Sequence, residues 1–129
     1  MSLIVAALSL LGISFLPERK TSKHEPVVTS GKILGVFLGD VEEGEVLKKE
    51  IRLRNDGDRP MRVEGIVTSC GCTGATVPRS EILPGEEVPL AVSIDTKDRK
   101  GLNRFRVSVS IAGAPPATVV FGTNVAKKG

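Results

Sequence analysis

The sequence predicts an all-β fold, an antiparallel sandwich of about seven short strands behind an N-terminal hydrophobic leader. Three observations carry that prediction. Apolar and polar residues alternate with a period of two in segment after segment. Clusters of Gly, Pro, Asn and Asp punctuate those segments at regular spacing. Beyond the leader, no stretch carries an apolar stripe of helical period.

The leader is residues 3–16, apolar apart from Ser9, Gly12 and Ser14. It is shorter than the roughly 20 residues of a spanning helix and matches the roughly 7–15 of a signal-peptide core. Pro17, Glu18, Arg19 and Lys20 follow it. Residues 1–16 therefore read as a signal peptide or membrane anchor, and the protein as exported (periplasm or cell envelope) or membrane-anchored. Two features run the other way. No Lys or Arg precedes the apolar run, and Arg19, Lys20 and Lys23 follow it, an order that by the positive-inside rule keeps the next domain cytoplasmic. The best small-x-small triplet is Gly12-Ile13-Ser14, and no cysteine follows Leu10-Leu11-Gly12 to take a lipid. Residues 17–31, with the single histidine His24, read as a linker.

The domain is expected over residues 32–125. Residues 33–38 form a short apolar strand that ends at Gly39, and Glu42-Glu43-Gly44-Glu45 is a turn. Residues 47–55 alternate, with Lys49, Ile51 and Leu53 on one face and Glu50, Arg52 and Arg54 on the other. Asn55-Asp56-Gly57-Asp58 turns the chain, because these residue types tolerate positive φ. In residues 61–68, Met61 and Val63 share a face while Ile66 has the opposite parity. Gly65 between them marks a β-bulge. The strand leads into Cys70. Residues 73–77 form a short strand that Pro78 limits, and Ile82-Leu83-Pro84-Gly85 has the residue order of a type II turn. Val88, Leu90, Val92 and Ile94 alternate around Pro89, which places this strand at a sheet edge or on a bulge. After a charged loop at 96–101, Phe105, Val107, Val109 and Ile111 alternate with polar residues. A turn at 113–116 and a β-branched strand at 117–125 close the domain, and 126–129 is a tail.

Composition narrows the function. The chain has 129 residues, 40% hydrophobic and 26% charged, enough for one domain with a core. The net charge is +3, but the basic residues are interleaved with acidic ones, as Asp56 and Asp58 closely precede Arg59. There is no Trp or Tyr to stack on a base or a sugar. No nucleic-acid partner is expected.

Several motifs in order resemble one bacterial family. They are Leu38-Gly39-Asp40-Val41, Gly44-Glu45, Leu53-Arg54-Asn55-Asp56-Gly57, Ser69-Cys70-Gly71-Cys72-Thr73, Ile82-Leu83-Pro84-Gly85-Glu86, and Asp95 followed by Gly101. Over residues 33–125 the chain resembles DUF1573, a family of unknown function. The resemblance implies an immunoglobulin-like sandwich related to the ASH and major-sperm-protein group, in proteins that usually carry an export signal or lipoprotein leader. It makes Asn55, Gly57, Ser69, Gly71, Thr73, Pro84 and Gly85 motif residues of structural weight. Ile51 stands where the family usually has Phe, and the leader lacks the basic residues that usually precede the apolar run.

Cys70 and Cys72 are the candidate redox or metal site. In an extended strand, residues i and i+2 lie about 6.6 Å apart, near the upper limit for a disulfide. Gly71 can bend the backbone and close a small, readily reduced ring. Such a ring staples little. Exchange would also need a positive charge beside a thiolate, from Arg79 or a spatial neighbour. Two thiolates are half a tetrahedral zinc site that His24 alone cannot complete, or they can hold Cu(I), or a dimer can bring four. The plainest reading is a packed turn with Thr73 bonded to the backbone.

No histidine in the domain can serve as general base for Ser69 or a cysteine. No glycine-rich loop opens a helix. The pairs Glu42-Glu43 and Glu86-Glu87 face water, and Asp95 and Asp98 do not follow a calcium loop. Neither an enzyme, a cofactor nor a small-molecule ligand is expected. The expected function is a non-catalytic interaction module whose partner is another protein, engaged along an edge strand at 33–38 or 117–125. The alternative is a thiol-disulfide or soft-metal domain built on Cys70 and Cys72.

Overall fold

Alternating side chains leave each strand with one apolar face, and two such sheets can hide those faces only against each other. The computed structural model describes residues 25–127 and contains nine strands and no helix among them. The expected leader, His24, most of the linker and the last two residues of the tail lie outside the described residues. In chain order the strands are β1 (Val27–Val28), β2 (Ile33–Glu42), β3 (Val46–Arg54), β4 (Met61–Thr68), β5 (Thr73–Thr76), β6 (Glu81–Ile82), β7 (Glu87–Asp95), β8 (Gly101–Ile111) and β9 (Ala114–Ala126). One sheet has the order β1-β3-β7-β5, the other β2-β9-β8-β4-β6. The β1–β3 and β2–β9 pairs are parallel and the others antiparallel.

The inward faces interlock. Ile51, Leu53, Val88, Leu90 and Ile94 of the first sheet meet Phe105, Val107, Val109, Val119 and Phe121 of the second, all buried. Each such side chain contributes about 1.5–3 kcal/mol relative to exposure. Ile51 is fully buried, so the residue type at this position bears on core packing. Gly65 does break the β4–β8 register, which shifts between Val63 and Gly65.

Four expectations need correction. The segment 25–31 is not free linker. Val27–Val28 pairs with Arg52 and Leu53, the Arg52 N–H donates to the Pro26 carbonyl at 2.9 Å, and Val28 is buried. Lys49 shares parity with Ile51 but is exposed, because β1 covers β3 only at Arg52 and Leu53 and leaves the edge open at Lys49.

Pro89 lies on β7, an interior strand between β3 and β5. Its partner across the pair is Arg52, whose N–H points away to β1. Arg52 and Pro89 are thus a non-hydrogen-bonded pair, and the missing N–H of Pro89 removes no β3–β7 bond. On its other side, β5 pairs with β7 only from Ala91 to Ile94. Finally, the 117–125 segment is no edge: β9 lies between β2 and β8. Of the two expected edge strands, only the 33–38 segment, within β2, is at a sheet edge among the described residues.

Candidate functional site

β3 and β7 run antiparallel, so Asn55 and Glu86 meet at one end of the sandwich and Val46 and Asp95 at the other. The sequence motifs divide between these ends.

At the Asp95 end, β4 stops at Thr68 and the chain turns sharply. Ser69 ties the start of the turn to β8: its N–H donates to the Arg106 carbonyl, and its Oγ accepts the Arg106 N–H, both at 3.0 Å. The Thr73 N–H donates to the Cys70 carbonyl at 3.2 Å, and the Asp95 N–H to the Cys72 carbonyl at 2.9 Å. The Thr68 hydroxyl donates to the Cys70 carbonyl at 3.1 Å. Within this turn Cys70 and Cys72 are disulfide-bonded, with their Cα atoms 5.3 Å apart. The turn supplies the shortening that an extended strand lacks.

Both cysteines are half-buried against the edge of the core. The Cys72 N–H points at the Cys70 Sγ, 3.2 Å away. Thr73 is buried, and its Oγ1 lies 3.7 Å from the Cys70 Sγ and 3.6 Å from the Cys72 Sγ. Gly71 is exposed, and a Cβ there would meet nothing within 4 Å.

The positive charge at the sulfurs is Arg99. Its Nη2 is 3.5 Å from the Cys72 Sγ, and its Cζ is 5.9 Å from the centroid of the Phe105 ring. A tight turn aims it there. The Asp95 carboxylate accepts the Lys97 N–H at 3.0 Å, the Arg99 N–H donates to the Thr96 carbonyl at 3.0 Å, and Asp98 takes φ 64. Among the described residues no carboxylate pairs with Arg99. Arg79 is elsewhere, with its Nη2 3.0 Å from the Glu86 carboxylate. A guanidinium beside a sulfur favours a thiolate and opposes a bound cation. Among the described residues, no group of three or more His, Cys, Asp or Glu side chains is arranged to hold a metal.

The other end holds Asn55, Gly57, Pro84 and Gly85. Asn55 is buried, and its Nδ2 donates to the Arg59 carbonyl at 2.7 Å and the Ile82 carbonyl at 2.9 Å. Its Oδ1 accepts the Gly57 N–H at 2.9 Å. Its backbone N–H and carbonyl bond Glu86 and Gly85. The Glu86 N–H donates to the Leu83 carbonyl at 2.9 Å and Gly85 has φ 82, the geometry of the type II turn. Glu86 closes the latch. Its carboxylate accepts the Leu83 N–H at 2.8 Å and faces Arg79. These contacts hold its carboxyl below the usual carboxylate range, the Leu83 amide more than Arg79.

Sequence reasoning missed Arg99 and Thr96. Thr96 is fully buried, and its hydroxyl donates to the Glu45 carbonyl at 2.6 Å while accepting the Gly44 N–H at 3.0 Å. It anchors the β2–β3 turn at the same end of the sandwich as the sulfurs. Both residues sit in a segment whose charge alone marks it as a loop.

Comparison with known proteins bears on the fold. The chain is similar to a protein of unknown function from Porphyromonas gingivalis W83, at 21% identity and a TM-score of 0.63, over 77% of this chain and 47% of that one. It is similar to the Vibrio cholerae VesB protease at 15% identity and a TM-score of 0.60, over 70% of this chain and 30% of that one. The chain thus spans less than half the length of either structure. At such identities the likeness is one of fold. No curated protein matches the sequence. A family model matches residues 35–125, and by that match the chain belongs to DUF1573, a family of proteins of unknown function.

Proposed function

We propose that the domain is a non-catalytic interaction module, exported or held at a membrane by its leader, that receives an extended segment of another protein along β2. The observation that carries this reading is the free edge of β2. Among the described residues, this ten-residue strand pairs on one side only, with β9. The Thr118 N–H donates to the Lys32 carbonyl, so before the irregularity at Gly39 the backbone groups of the even-numbered residues face β9 and those of Ile33, Gly35 and Phe37 face outward. The side chains of Ile33 and Phe37 are 75% and 68% exposed beside that edge.

Edges are usually blunted with proline or lysine, and β2 contains neither. Its only charges, Asp40 and Glu42, lie past the irregularity at Gly39. The chemistry suits a strand with alternating apolar residues and a basic residue at the far end. The apolar run at 3–16 supports export or membrane attachment. The Cys70–Cys72 disulfide fits an oxidising compartment.

The test replaces Phe37 of the full chain with a photo-crosslinking residue, in cells that make the protein. The expected result is one adduct with another protein, lost when Gly35→Pro removes an outward N–H without touching a β2–β9 bond. An adduct that survives Gly35→Pro overturns the reading. So does labelling at Phe37 no stronger than at Ala91, on the outer face of the opposite sheet.

A further inference from the structure

We propose that Cys70 and Cys72 form a thiol-exchange site in which Arg99 holds Cys72 as the leaving thiolate, so that the domain accepts two electrons from the dithiol of a partner. The inference does not depend on the β2 edge.

Three observations converge on it. The turn does not need the sulfur–sulfur bond. Ser69, Thr68, Thr73 and Asp95 already hold its backbone by hydrogen bonds to Arg106, Cys70 and Cys72. The two sulfurs also differ. The Cys70 Sγ faces the Cys72 N–H, a neutral donor, whereas the Cys72 Sγ faces the guanidinium of Arg99. A charge-assisted contact favours an anion more than a neutral one does. Finally, the site is approachable. Both cysteines are half-buried rather than enclosed, and open space lies over Gly71.

The exchange follows from this asymmetry. A partner thiolate attacks the Cys70 Sγ and forms a new disulfide with it. The electron pair of the broken bond goes to the Cys72 Sγ, which leaves as a thiolate beside Arg99. The partner's second thiol loses its proton to water and attacks the partner sulfur bonded to Cys70. The partner leaves as an intramolecular disulfide, and Cys70 departs as a thiolate that takes a proton from water. The partner dithiol is oxidised and the domain disulfide reduced, two electrons each way. Because the Cys72 charge exists only in the reduced form, Arg99 favours that form and makes the couple more oxidising.

The test equilibrates the full chain with glutathione redox buffers and follows thiol alkylation against pH. Cys72 alone (Cys70→Ser) should be alkylated at a lower pH than Cys70 alone (Cys72→Ser). Arg99→Gln should raise the Cys72 midpoint by about one unit and shift the glutathione equilibrium about tenfold toward the disulfide. Arg99→Lys, which keeps the charge, should restore part of both. Cys72→Ser should accumulate a mixed disulfide between Cys70 and glutathione. Far-UV spectra check that the variants stay folded. Equal midpoints for the two cysteines, or an Arg99→Gln protein with unchanged midpoint and equilibrium, overturn the proposal. So does a native disulfide that dithiothreitol leaves intact.

Discussion

The two ends of the sandwich are both built from tight turns, yet they treat their polar groups differently. At the Asn55 end, a buried amide satisfies two carbonyls and one N–H, and the type II turn at Pro84-Gly85 bonds back to it. Its atoms are occupied with the fold. At the Cys70 end the backbone is equally well bonded, but the groups at its centre have spare capacity. Thr73 offers one hydroxyl to two sulfurs, and Arg99 faces a sulfur rather than a carboxylate. A buried polar network with every partner present is an argument for stability. A half-buried disulfide beside a guanidinium that no carboxylate pairs with among the described residues is an argument for chemistry. Motif residues that look alike in sequence therefore separate into a latch and a site.

The largest expected effect breaks the latch. Asn55→Ala leaves the Ile82 and Arg59 carbonyls and the Gly57 N–H without their partner. The loss should be about 3 kcal/mol, since each buried group left unsatisfied costs about 1–3 kcal/mol less whatever water recovers. Chemical denaturation measures it. A loss below about 1 kcal/mol would mean that the end is held by packing, and the contrast with the sulfur end would fail.

Reducing the disulfide should do less. Closing a loop of three residues removes little chain entropy, about 1–2 kcal/mol on the loop-closure model. Denaturation with and without reductant gives the figure directly. A cost as large as that of Asn55→Ala would make the bond a staple and bring the two ends together in kind.

The strands that were readable in sequence are those whose parity is decided by burial on one face. Ile51 and Leu53, Val88 to Ile94 and Phe105 to Ile111 all follow that rule. Gly65 was readable because a parity break flanks it, and the Pro84-Gly85 turn because its φ requirement selects those residues. Strand order is a different matter. Parity is the same for an edge strand and an interior one, so nothing local separates β2 from β9. Pro89 shows the limit well: sequence reveals a missing N–H, but only the register shows that no β3–β7 bond was due there. β1 escaped notice because two residues have no period. Arg99 escaped because it stands 27 residues from Cys72 and is aimed by a turn that parity does not describe.

The smallest expected effect concerns pH, and it too divides the ends. Glu86 belongs to the latch, and its carboxyl is held below the usual carboxylate range by the Leu83 N–H first and Arg79 second. A carboxyl lowered on folding stabilises the native state only while it is ionised. Its contribution is complete above the unfolded-state value and is lost as pH falls through the folded one. Glu86→Gln keeps an oxygen for the Leu83 N–H and removes the charge that Arg79 sees. The variant should therefore be less stable than the parent at neutral pH and converge with it in acid. The gap should be small, because the ion pair is solvent-exposed. Denaturation midpoints from neutral pH into the acid range test this, and a gap that stays constant or widens in acid would remove Glu86 from the latch. Among the described residues, no carboxylate pairs with Arg99 at the sulfur end. Acid should thus loosen the latch through Glu86, which has no counterpart beside Arg99 among the described residues.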